Sequence, residues 1–137
     1  GFPKVDIIGN EFREEDLRLW VNDKLIIFEA TGSQAAHPKD EKMFQIVKHI
    51  PIRQDKYKDL KVYGVFVVNH DNLKVYDKRL KQPFDKRAET LIIGQKICAV
   101  TTTELVYAFM KFKEGKLTPD DFIIKLCTPG VFKSLEP

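Results

Sequence analysis

A chain of 137 residues, 43% hydrophobic and 31% charged, is long enough to bury one core and too ordinary in composition for a disordered or low-complexity protein. Its net charge of +3 permits nucleic-acid contact without arguing for a concentrated basic field, and Cys98 and Cys127 have neither metal-ligand nor redox spacing, so a reducing, cytoplasmic setting is expected. There is no apolar run of membrane length and no signal-peptide pattern, which excludes a membrane partner from the expectations.

Residues 4–9 alternate, with Val5 and Ile7 on one face, and predict a short first strand ending at Gly9 and Asn10. Residues 16–32 predict a β-hairpin. Leu17, Leu19 and Val21 alternate with Asp16, Arg18 and Trp20, Asn22 and Asp23 supply the turn, and residues 25–28 form a second apolar run. With a two-residue turn, Val21 faces Lys24 and Asp16 lies across from Glu29. Opposed side chains on an antiparallel pair are roughly 5 Å apart and like charges there repel, so this pair adds nothing to the hairpin itself. Two carboxylates on one face suit a cation; the alternative is a pair of solvated acids at a hairpin edge. Thr31, two residues beyond Glu29, shares its face, while Ala30 points away. A hard divalent cation, Mg²⁺ with Mn²⁺ as a substitute, would take the Asp16 and Glu29 carboxylates and the Ala30 carbonyl.

Pro38 suits the first position of a helix with Met43, Phe44, Ile46, Val47 and Ile50 as its apolar face, and Pro51 as its stop. On a wheel of 100° per residue, Gln45 falls opposite that face, near Lys42 and His49. Residues 61–68 run apolar without alternation, as a strand buried on both faces does, and should lie parallel to the second hairpin strand, with Gly64 marking a close backbone approach. After a polar connection, Phe84, Ala88, Leu91 and Ile92 share a helix face opened by Pro83, and residues 97–100 form another buried strand. Thr101 and Glu104 have capping-box spacing and open a helix with Leu105, Ala108, Phe109 and Phe112 inward; Thr118 and Pro119 open a last one, with Phe122, Ile123 and Leu126 as its apolar face. The expected fold is α/β, a mixed five-stranded sheet of antiparallel meander plus parallel crossover strands, flanked by helices.

An acidic residue opening one strand, a second strand ending in Glu-x-Thr, a helix carrying Gln, a buried strand ending in Asn69, a basic loop, Pro83-Phe84 and a strand ending in Thr101-Thr102 together resemble the PD-(D/E)XK nuclease superfamily, the restriction-endonuclease-like fold. The resemblance spans nearly the whole chain and is similar to small prokaryotic members. It implies a metal-dependent DNA phosphodiesterase in which Asp16, Glu29 and Gln45 are catalytic positions. The family's lysine is Thr31 here, and the family's proline is Glu15, so the resemblance implies weak or no activity unless Lys39, the nearer to the helix's apolar face and the preferred catalytic candidate, or Lys42 replaces the missing charge. In the family a helix with an acidic residue precedes the meander. Residues 1–137 are therefore expected to be one nuclease-like domain of a longer protein, a fragment lacking that helix, with DNA, further domains and a second copy as partners.

The connection of residues 69–87 carries Lys74, Lys78, Arg79, Lys81, Lys86 and Arg87 against Asp71, Asp77 and Asp85. With Tyr76 among them, Lys74, Lys78, Arg79 and Lys81 are candidates for neutralising phosphates; a solvated loop is the other reading. The three histidines lack zinc spacing, and His70 is the one expected near a site. No phosphate loop, dinucleotide fingerprint or nucleophile elbow is present. Two function classes remain: a metal-dependent phosphodiesterase, and a catalytically silent module of the same fold that binds DNA or a protein.

Overall fold

The computed structural model describes residues 4–7, 15–39 and 41–134. Its centre is the hairpin, β2 (Leu17–Val21) and β3 (Lys24–Gly32), closed by Asn22 at φ 52, a left-handed conformation that asparagine tolerates. Pairing runs from Val21↔Lys24 to Leu17↔Phe28, the register that a two-residue turn dictates. β1 (Lys4–Ile7) pairs antiparallel with β2 and completes the meander. β4 (Lys61–Asn69) and β5 (Cys98–Thr101) follow in parallel, giving the expected α/β mixed sheet, and Gly130–Val131 adds a two-residue β6 beside β5. The strand order is β1-β2-β3-β4-β5-β6.

Period-two alternation divides the core. Leu25 and Ile27 of β3 face α1 (Glu41–Lys56) and α2 (Lys86–Gly94) together with Phe66, Val68 and Ala99. Leu19, Ile26, Val65 and Val100 face α3 (Thr102–Lys113) and α4 (Pro119–Leu126). Helices thus cover both faces, as strands apolar on both sides require.

The helices depart from expectation in five places, the first being Phe44, which is 39% exposed rather than part of the apolar face of α1. α1 begins at Glu41, not Pro38, and passes through Pro51 to Lys56. Proline there forgoes one helical hydrogen bond. The next turn is nevertheless held, because Arg53 is buried in an ion cluster and the Tyr57 N–H donates to the Arg53 carbonyl at 2.9 Å. Phe84 is buried but precedes α2, whose cap is Asp85 accepting from the Ala88 N–H at 2.8 Å. Phe109 is 59% exposed rather than inward, covered in part by the Lys113 ammonium 5.4 Å from its ring centre. Thr101 caps α3 by accepting from the Glu104 N–H at 3.1 Å, but the Glu104 carboxylate, instead of closing a capping box, accepts from the Ser134 N–H and hydroxyl.

Gly64 is tight for a different reason from the expected backbone approach. A Cβ built there would lie 2.6 Å from Ile50 Cδ1 and 3.1 Å from Ile46 Cγ1, both on α1. Gly64→Ala is expected to lower stability by about 1–3 kcal/mol through overpacking, read as a fall in the urea midpoint at unchanged m-value. Trp20 is a packing residue, edge-on to Tyr57 at 6.4 Å between ring centres. Among the described residues no helix is long and apolar enough to cross a membrane.

Candidate functional site

Strand pairing places Asp16 beside Glu29 without extending the ladder to them. The Asp16 N–H donates to the Phe28 carbonyl at 3.0 Å, and the Ala30 N–H donates to Asp16 Oδ2 at 2.8 Å, so Asp16 straddles Glu29 from the β2 side. Its carboxylate continues the ladder where the backbone stops. Asp16 is exposed, Thr31 half-buried, and Glu29 only 8% exposed, with an Oε2 that finds no hydrogen-bond partner among the described residues. Burial pushes the Glu29 carboxyl up to about 7; the Asp16 charge adds to the rise, the Lys42 ammonium opposes it, and Glu15 adds again. Of the two lysines expected to replace the family's, Lys42 is the one whose charge acts on Glu29. Lys39 and Gln45 are both exposed, Lys39 on a depression shared with His37 and Pro38.

Beneath this edge lies a cluster that sequence reading missed. Glu15, 1% exposed, accepts from Arg18 and from Arg53 Nε at 2.8 Å, with His49 Nδ1 3.5 Å away. Burial alone would raise the Glu15 carboxyl, but the Arg53 and Arg18 guanidinium groups hold it below its ordinary value. His49 therefore faces the sheet rather than sharing the solvent face of Gln45. The spacing Ile46, His49, Arg53 continues the apolar stripe of α1 and was the available signal, masked by Pro51 as an expected stop.

The connections after β3 and β4 leave the same edge of the sheet and are stitched together. The Ser33 N–H donates to the Asn69 carbonyl, the Asn72 N–H to Ser33, and the Asp71 N–H to Ala35, each at 3.0 Å. Leu80 is held at both backbone groups, its carbonyl by His70 Nε2–H at 2.6 Å and its N–H by Asp71 Oδ2 at 2.9 Å. His70, 1% exposed, is thus the loop's anchor. Of the four candidate phosphate contacts, Lys74, Lys78 and Lys81 are exposed, while Arg79 is half-buried and engaged. Arg79 donates through Nε to the Lys74 carbonyl at 2.9 Å and through Nη1 to Asn69 Oδ1 and Thr102 Oγ1. Among the described residues no group of three or more His, Cys, Asp or Glu is arranged to hold a metal ion, so a cation here would rest on two carboxylates and backbone oxygen. Compared with protein-family models, curated proteins and solved structures, the chain finds no match in any of the three.

Proposed function

We propose that this domain carries a divalent-cation site of the PD-(D/E)XK type on a restriction-endonuclease-like fold, and that it acts on the phosphodiester backbone of DNA with low turnover. The observation that carries the reading is the buried Glu29 carboxylate beside Asp16, with one oxygen that has no hydrogen-bond partner among the described residues. A buried, unpaired carboxylate is costly, and a site that keeps one is a site that takes a cation or a proton. Antiparallel-then-parallel strand order supports the fold assignment.

Asp16, Glu29 and the Ala30 carbonyl would hold Mg²⁺ or Mn²⁺, which suits a cation that takes one or two carboxylates and completes its shell with water and phosphate. Such an ion, when bound, polarises a phosphate oxygen and lowers the pKa of its water. The chain's own residues do the rest. Ala30 N–H orients the Asp16 carboxylate, the loop lysines bring phosphates to the edge, and Lys42 supplies a positive charge near Glu29. Thr31 cannot, and that favours the second reading, a silent DNA-binding or assembly module.

The test is cleavage of plasmid and single-stranded DNA with Mg²⁺ and Mn²⁺, alongside Mn²⁺ binding followed by electron paramagnetic resonance. The unmodified chain should bind Mn²⁺, lose that binding in Glu29→Ala, and cleave slowly or not at all. Thr31→Lys should raise cleavage by roughly 10²–10³-fold, the range for restoring one group that stabilises transition-state charge. Fast cleavage by the unmodified chain that Lys42→Ala abolishes would assign the relocated cation to Lys42. Absence of both Mn²⁺ binding and cleavage in every variant would sink the metal site.

A further inference from the structure

A second feature of the same sheet edge lies away from the carboxylates. Residues 80–84 form a wall with a depression on each side, and Lys81 and Gln82 line both. One side is basic on balance, lined by Lys74, Lys78, Arg79 and Lys81 together with the Asp71 carboxylate. The other is a cavity of 180 Å³ lined by Phe84, Val131 and Phe132, with Gln82 and Glu104 at its polar edge. Drug-sized ligands occupy roughly 300–1,000 Å³, so this cavity suits a single ring system.

Arg79 is unusual in its company. Its Nε and Nη1 hydrogens go to a carbonyl, an amide oxygen and a hydroxyl, all uncharged, and among the described residues it is paired with no carboxylate. The Thr102 hydroxyl also donates to Asn69 Oδ1 at 2.9 Å, which locks the constellation. A guanidinium has five N–H donors in a rigid fork matched to phosphate, and three of them fix its orientation here. The remaining two, on Nη2, belong to a preorganised charged group that makes no direct ion pair among the described residues, although its charge, after the Leu80 N–H, helps to hold the nearby Asp71 carboxylate below its ordinary value. As a mere loop anchor, a neutral donor would have served.

We propose that these two depressions form one site for an unpaired nucleotide, its base in the cavity of Phe84, Val131 and Phe132 and its phosphate against Arg79, Lys78 and Lys81. The ligand class is single-stranded nucleic acid, because a base within a duplex cannot enter a recessed, mainly apolar cavity without leaving its stack. Gln82 and the Glu104 carboxylate offer a donor and acceptors to the base edge. β3 and β6 are three strand spacings apart, roughly 14 Å at about 4.8 Å each, so a strand held here passes the Asp16–Glu29 site within a few nucleotides. The inference deepens the nuclease reading by naming its substrate as a single strand, and to that extent rests on it.

The experiment is an amide-resonance titration of the full 137-residue chain with a deoxyadenosine hexamer, a hexamer of abasic spacers with the same phosphates, and a duplex. The base-bearing hexamer should shift resonances in residues 78–82 and also Val131 and Phe132, and should bind roughly 5- to 150-fold tighter than the abasic one, the range for stacking one base on an aromatic side chain. Val131→Trp, which fills the cavity, should reduce the base-bearing hexamer to the affinity of the abasic one, and the two-ligand comparison on the unmodified chain stands even if that variant misfolds. Equal binding of the two hexamers, shifts confined to residues 74–81, or duplex binding as tight as single-strand binding would each overturn the proposal, while leaving Mn²⁺ binding and cleavage untouched. Conversely, selective binding of the base-bearing hexamer by a chain that neither binds Mn²⁺ nor cleaves would support the nucleotide site and reject the nuclease.

Discussion

Replacing Glu15 by alanine is expected to destabilise the fold by about 3–5 kcal/mol, the cost of removing one partner from a buried ion cluster. Glu15 is the anion on which Arg18 of β2 and Arg53 of α1 converge, and all three are buried. Its removal sets two guanidinium groups near one another in a low-dielectric space. It also cuts the tie between the start of β2 and the turn of α1 that follows Pro51. Glu15→Gln keeps volume and one acceptor while losing the charge, and should fall between wild type and Glu15→Ala. Because the folded-state pKa of Glu15 is lowered, its contribution is present above the unfolded value near 4.5 and is lost as pH falls below it. Urea unfolding at pH 7 measures the effect; a loss below about 1 kcal/mol in Glu15→Ala would match an exposed pair and contradict the burial described.

Glu29 should give the opposite pH dependence. Its carboxyl titrates at about 7 in the folded chain against 4.5 when unfolded, so the native state holds the proton more tightly. That contribution is complete below about pH 4.5 and is lost as pH rises through 7, a decline of the order of 3 kcal/mol at 1.36 kcal/mol per unit. Stability without divalent cations is therefore expected to be greatest on the acid side of neutrality, between the Glu15 limb and the Glu29 limb. Glu29→Gln should abolish the alkaline decline and unfold at higher urea than the parent at pH 8. Millimolar Mg²⁺ should recover much of the same loss in the parent and none in Glu29→Gln, since cation binding stabilises the ionised carboxylate. Identical pH profiles for parent and Glu29→Gln would show that the carboxyl is not displaced from its ordinary value.

The two carboxylates differ in what surrounds them rather than in what they are. Glu15 is deeper, yet its guanidinium partners keep it charged; Glu29 is slightly more exposed, yet burial, followed by the charge of the neighbouring Asp16, favours its proton. A hairpin sequence shows both as acids near strand ends. Which one keeps its charge and which favours its proton depends on α1, whose Arg53 lies 38 positions after Glu15.

Local pattern determined most of the architecture. Alternation and turn chemistry around Asn22 and Asp23 gave the hairpin register to the residue, and an unbroken apolar run marked β4 as buried and parallel to β3. Capping residues Thr101 and Thr118 marked the starts of α3 and α4, because a cap bonds within three residues of itself. Contacts between elements distant in sequence lay beyond that reach. Pro51 reads as a stop on local grounds, and only the burial of Arg53 against Glu15 carries α1 past it. Arg79 reads as one more loop cation, and only the meeting of the β4 end with the start of α3 turns it into a fixed guanidinium held by Asn69 and Thr102. Periodicity fixes which way a side chain points along its own strand or helix; what it meets there is decided by packing, and the charges of this protein take their roles from that meeting.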